Sequence, residues 1–136
     1  MSRDAIAYLA PLESGAPSAS AIFVGEVATS PLEPMPGASD LRALCVRFSA
    51  GAHTKLHTHS SEQVLIVVEG EGHVGAPGAD RVVRVGDIVR IPAGTVHYHG
   101  AGPDGAFAHV ALLAGTTDVL EDALAWPPGP PEGPVA

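Results

Sequence analysis

Residues 51–70 read Gly51-Ala-His53-Thr-Lys-Leu-His57-Thr-His59-Ser-Ser-Glu62-Gln63, then the apolar run Val64–Val68, then Glu69-Gly70. Residues two apart on a strand share a face, so His57 and His59 point to the same side. Two imidazoles on one rigid strand, joined by a third from a neighbour, make a ready site for a divalent transition metal. A second cluster offers that third ligand: Gly86-Asp87-Ile-Val-Arg-Ile-Pro92-Ala-Gly94-Thr-Val-His97-Tyr98-His99-Gly100. Five of the seven histidines fall in these two stretches. One His-x-His alone is a weak signal, and the intervals around it strengthen the case. Five residues separate Gly51 from His57, three separate His59 from Gln63, and six separate Gln63 from Gly70. In the second stretch, five separate Gly86 from Pro92, one separates Pro92 from Gly94, and two separate Gly94 from His97.

Outward from these clusters the chain is a succession of short Val-, Ile- and Leu-rich runs broken by Gly, Pro, Ser and Asp. That is the pattern of an all-β sandwich or barrel. Strands are expected near 21–27, 41–48, 63–69, 72–75, 81–85, 88–91, 96–99 and 107–114. Glu69-Gly70-Glu71-Gly72 and the stretch from Gly75 to Asp80 read as hairpin connections, and Val85-Gly86-Asp87 and Pro92-Ala93-Gly94 as tight corners. Eight short strands in 136 residues suggest a single jelly-roll β-barrel over residues 41–115. Residues 1–40 are expected to pack on it as a strand and a loop, the Pro-rich loop occupying 29–40. Thr117–Trp126 reads as a short helix within 116–126, with acidic residues in its first half and Pro127 as its stop. The Pro/Gly-rich end, 127–136, is expected to be an extended tail.

Composition narrows the functional classes. Asp and Glu total 15 against seven Lys and Arg, a formal charge of −8, which argues against a nucleic-acid or anionic-membrane surface. The longest apolar run, Ala5–Ala10, is far short of the roughly 20 residues that span a bilayer. The N-terminal residues show no secretory leader pattern. Cys45, the lone cysteine, suits a reducing compartment, and the expectation is a cytoplasmic protein.

The two histidine stretches resemble the two signature motifs of the cupin superfamily over about residues 40–115. The resemblance implies a small β-barrel enclosing one divalent transition metal, Mn, Fe, Co, Ni or Zn, held by His57, His59, Gln63 and His97. Two positions depart from the usual motifs: Gln63 stands where Glu is usual, and Ala101 where Asn is usual. Glu62 is an alternative ligand, but a one-residue shift would turn it to the other strand face unless a bulge intervened. A neutral Gln leaves the metal more positive than Glu would. That favours Lewis-acid and acid–base chemistry over oxygen activation.

Within the superfamily, the pattern is similar to the manganese-dependent cupin hydroxynitrile lyases and their relatives, which makes Mn the favoured ion. The shared features are Gly51-Ala52-His53-Thr54, Gln63, His97-Tyr98-His99-Gly100-Ala101 and Ala108-His109. In that family the later histidine is the acid/base, a role that carries over to His109, with His99 as a second candidate. Leu56 departs from an aromatic residue usual there, and Glu62 from a small one. Thr54, Tyr98 and Arg47 are candidate substrate contacts, Arg47 only if it points inward. The expected reaction is of lyase, isomerase or cyclase type on a small polar molecule bearing a carbonyl or hydroxyl. A metal-dependent dioxygenase and a non-catalytic small-molecule or metal-binding barrel are the alternatives. A homodimer is expected, with Ala5–Leu12 and Ala21–Val27 as the contact.

Overall fold

The computed structural model describes residues 15–32 and 40–128. Its strands are β1 (Ala16–Pro17), β2 (Phe23–Val24), β3 (Val27–Leu32), β4 (Arg42–Phe48), β5 (His53–Thr54), β6 (His57–His59), β7 (Gln63–Ala76), β8 (Ala79–Arg84), β9 (Ile88–Ile91), β10 (Tyr98–Ala101), β11 (Phe107–Leu113) and β12 (Thr117–Val119). Ten of them form one curled antiparallel sheet with the path β1-β3-β4-β11-β7-β10-β5-β2, β8 and β9 pairing with β7 off that path. The remaining two, β12 and β6, form their own ladder. The architecture is all-β and consistent with a jelly roll.

The curl originates in β7. Its first half pairs with β9 and β11, its second half with β8 and β10. The strand therefore passes from one wall to the other at Gly70-Glu71, where a hairpin was expected from sequence. Gly70 has φ +71°, and a Cβ there would run into the carbonyl oxygen of Ala106, so the corner requires glycine. Alternation along the strands then fills the interior. Gln63, Leu65 and Val67 of β7, Val46 and Phe48 of β4, and His109, Ala111 and Leu113 of β11 all face inward. Phe48 stacks on Phe107 at 6.0 Å between ring centres and closes one end of the core.

Two further expectations are corrected. Residues 29–32, expected in a loop, extend β3 and pair with β4, the β-branched Val27 and Thr29 suiting a ladder. Among the described residues no helix forms. Thr117–Val119 is instead a strand whose register sets Thr117 against His59 and Val119 against His57. The unfilled edge of β6 takes up this segment, which outweighs the weak helical preference of a run beginning Thr-Asp-Val. The stretch 120–126 continues without regular structure. Ala5–Leu12, residues 33–39 and the tail beyond 128 lie outside the described residues.

Candidate metal centre

Three segments carry the candidate ligands. His57 and His59 sit on β6 with both side chains buried and Thr58 between them facing out. His97 lies directly opposite His57: each backbone N–H donates to the other's carbonyl at 3.0 Å, which brings the rings to 4.2 Å. Gln63 begins β7, is 3 % exposed, and shares the inward parity of Leu65 and Val67. Glu62 points outward, its side chain 51 % exposed and paired with Arg90 at 2.6 Å. No bulge turns it inward.

The ring nitrogens are sorted by their partners. His57 Nδ1–H donates to the Lys55 carbonyl and His97 Nδ1–H to the Thr95 carbonyl, both at 2.8 Å. His59 Nδ1 bonds Thr117 Oγ1 at 2.8 Å. With Nδ1 occupied, each Nε2 offers a lone pair inward, and one ligand atom from each ring lies within 4.8 Å of the others. His57 Nε2 and His59 Nε2 are buried without any hydrogen-bond partner. His97 Nε2 faces Gln63 Oε1 at 3.1 Å, and both are acceptors. Orphaned lone pairs aimed at one point are costly unless an electrophile lies between them. Two donors each about 2.1 Å from a common ion, at right angles, lie about 3.0 Å apart. The residues fit a divalent metal.

Electrostatics agree with that chemistry. Burial, together with neighbouring histidines, pushes His57 down to about 3 and His97 down to about 4. His59 is lowered by burial as well. All three are neutral near pH 7, the state that binds metal.

Two more histidines stand behind the triad. His99 lies 5.2 Å from His57 and 5.7 Å from His97, ring to ring, and is bonded to His109, whose Nε2 is 3.0 Å from His99 Nδ1. Burial, then the neighbouring histidines, hold His99 far below its ordinary value, and burial pushes His109 down to about 3. The outer nitrogens of the dyad, His99 Nε2 and His109 Nδ1, are buried without partners.

A cavity of about 280 Å³ opens on this group. Its lining combines His57, His59, Gln63, His99 and His109 with the apolar Ile22, Phe23, Leu44, Val46, Ala111 and Leu113 and with the hydroxyl residues Ser18, Ser20, Thr29, Thr54 and Thr117. No Asp, Glu, Lys or Arg lines it among the described residues. Thr54 is part of the wall, and its hydroxyl accepts a hydrogen bond from the His99 amide at 3.1 Å. Tyr98 does not reach the cavity. It alternates away from His97 and His99 and donates its hydroxyl to Asp80 at 2.7 Å. Arg47 points to solvent on β4, 53 % exposed and bidentate with Glu69, so the inward orientation weighed from sequence is not adopted. Thr117 was not singled out from sequence. Its contact with His59 spans 58 residues and depends on a strand that no periodicity announces.

The Cupin domain family profile matches residues 44–110. An (R)-mandelonitrile lyase of Granulicella tundricola is 37 % identical over 91 residues, covering 66 % of this chain and 70 % of that protein. The chain belongs to the cupin superfamily. A cupin-like protein of Thermotoga maritima superposes on this cupin with a TM-score of 0.75 at 33 % identity, covering 79 % of this chain and 86 % of that one. An acireductone dioxygenase of Synechococcus is 40 % identical over 58 residues, which cover 40 % of this cupin and 31 % of that enzyme.

Proposed function

We propose that this cupin is a metal-dependent lyase-type enzyme whose substrate carries a carbonyl or hydroxyl group on an apolar body. The observation that carries the reading is the neutral His99–His109 dyad, set beside the candidate metal ligands in a cavity that no charged side chain lines among the described residues. Sequence reasoning favoured a small polar substrate bearing a carbonyl or hydroxyl. The Leu44, Val46, Ala111 and Leu113 wall favours one polar function on an apolar alkyl or aryl group. His57, His59, Gln63 and His97 would hold the ion, Mn being the favoured one, and its bound form supplies Lewis-acid polarisation of the substrate oxygen.

The dyad can move a proton without creating a buried cation. In one tautomer His109 Nε2–H donates to His99 Nδ1, leaving a lone pair on His109 Nδ1 and a proton on His99 Nε2. A hydroxyl proton accepted at His109 Nδ1 lets the Nε2 proton cross to His99, which releases its own outer proton. Both rings then hold the opposite neutral tautomer. For a cyanohydrin, the O–H proton enters the relay while the carbon–carbon bond breaks. The carbonyl forms, cyanide departs with the electron pair, and the proton released from the other end of the relay makes hydrogen cyanide. The low affinity of both rings for a second proton is the reason to pass it on rather than store it. The relative named (R)-mandelonitrile lyase, a name that specifies an aryl cyanohydrin, supports this substrate class.

The test is conversion of mandelonitrile and its alkyl analogues by Mn-loaded protein, with His109→Ala beside the wild type. The reading expects turnover that falls at least about 100-fold in His109→Ala while bound metal is unchanged. Equal turnover in the variant removes the relay. Product formation tied to oxygen consumption favours the dioxygenase reading, and binding without turnover favours a ligand-binding barrel. A cytoplasmic homodimer stays part of this proposal. Light scattering across a wide concentration range tests the dimer, and a monomer throughout would remove it.

A further inference from the structure

We infer that residues 117–126 form a strap that positions a metal ligand, with Thr117 as the positioning residue and Trp126 as its anchor. The inference rests on the metal-site reading above and concerns what keeps that site in order.

The three imidazoles are not oriented in the same way. His57 and His97 each donate Nδ1–H to the carbonyl two residues earlier, so their orientation is built into their own turns. A carbonyl can only accept, which fixes the tautomer with Nε2 free. His59 instead depends on a hydroxyl from the far end of the fold, and a hydroxyl can donate or accept. Its Nε2 is a ligand only while Thr117 Oγ1 accepts from Nδ1. Thr117 therefore sets the ring angle, and the metal-binding tautomer is the one in which its hydroxyl accepts.

Thr117 is held by a short ladder. β12 pairs with β6 over three residues, flanked by Ser60 N–H to the Thr116 carbonyl at 2.9 Å and Leu120 N–H to the Leu56 carbonyl at 2.8 Å. Upstream, Arg42 donates to the Gly115 carbonyl and Ser61 to the Ala114 carbonyl. Beyond Leu120 a gap of about 130 Å³ lies between the strap and β5, crossed by the exposed Lys55–Glu121 contact at 3.5 Å.

The strap is pinned again at its end. The Trp126 indole stacks on His53 at 4.4 Å and 9°, meets His73 and Tyr98 edge-on at 5.7 and 5.5 Å, and donates Nε1–H to the Ala101 carbonyl at 2.8 Å. His53 and His73 both stand opposite Gly100, one on each flanking strand. A Cβ at Gly100 would collide with His53, so the bare backbone here lets β5 close up on β10. The result is a seat for one aromatic ring on the sheet that carries His99, two residues from His97.

The experiment is Co(II) binding in competition with a chelator, read with the visible d–d bands that report the ligand set, on wild type, Thr117→Val, Thr117→Ser and Trp126→Ala. Thr117→Val is expected to weaken Co(II) binding about 10–100-fold and to shift the bands, the size seen when a group orienting a ligand is lost. Thr117→Ser restores the hydroxyl and should stay within about threefold of wild type. Trp126→Ala should speed Co(II) release while the bands keep their positions once the site is filled. If wild type takes up no stoichiometric Co(II), the metal-site reading itself fails. If wild type binds and Thr117→Val matches it in affinity and spectrum, or Thr117→Ser is as weak as Thr117→Val, the positioning role is overturned while the site stands. An unchanged release rate in Trp126→Ala overturns the anchor.

Discussion

Removing the metal should make this protein acid-sensitive in a range where most domains are stable. Burial lowers His57 and His109 to about 3 and His97 to about 4, whereas an unfolded chain offers histidines near their ordinary value of about 6.5. As pH falls through about 6.5 the unfolded state takes up protons and the folded state does not. Stability is therefore fully present above that pH and is lost as pH falls towards the folded values. At pH 5.5 each such histidine contributes a loss of about 1.4 kcal/mol, hence about 4 kcal/mol for these three. The size is set by the unfolded state, because the folded rings stay neutral throughout the interval. His59 and His99, lowered by burial too, add to it. Against a typical domain stability of about 5–15 kcal/mol, the metal-free protein should lose about a quarter or more of its stability by pH 5.5. The assay is urea unfolding of chelator-treated protein between pH 7.5 and 5.5, with His109→Gln beside it. The variant should lose about 1.4 kcal/mol less across the interval than the wild type. Identical pH dependence in both would refute the burial of a neutral His109, and a flat wild-type profile would refute the neutral cluster as a whole.

Other consequences follow from single side chains. Gln63→Glu places an anion among neutral ligands and should tighten Mn(II) binding by about tenfold or more, a gain of about 1.4 kcal/mol, while slowing turnover because the ion is less positive; a titration against a chelator reads the first and initial rates the second. Phe48→Ala opens the core beside Phe23, Phe107, His99 and His109 and should cost about 3–5 kcal/mol in urea unfolding. Arg47→Ala removes only an exposed ion pair and should change stability by less than about 1 kcal/mol, leaving bound metal and turnover at wild-type levels.

The candidate ligand set was legible in the sequence through the resemblance to the cupin motifs, with strand parity in support. His57 and His59 share a face by the period of two, and Gln63 falls in phase with Leu65 and Val67 where Glu62 does not. His109 was legible for the same reason, as the odd member of an inward row with Phe107, Ala111 and Leu113. What the sequence concealed are contacts between distant segments. Residues 63–76 contain three glycines and read as two strands with a turn, yet Gly70 bends one continuous strand around the barrel. Thr117–Val119 has no periodicity of its own, and its conformation is decided by the open edge of β6. Tyr98 and Arg47 were chemically plausible contacts whose direction depended on register, which Asp80 and Glu69 settle from other strands.

The central claim is that His57, His59, Gln63 and His97 hold one divalent ion at the head of the cavity. Elemental analysis of the protein as isolated, beside His97→Ala and Gln63→Ala at matched folded fraction, tests it most directly. The account predicts about one transition metal ion per wild-type chain, almost none in His97→Ala and a reduced content in Gln63→Ala. Metal-free wild-type protein that also takes up none when Mn, Fe, Co, Ni or Zn is supplied, or a full complement in His97→Ala, would contradict it.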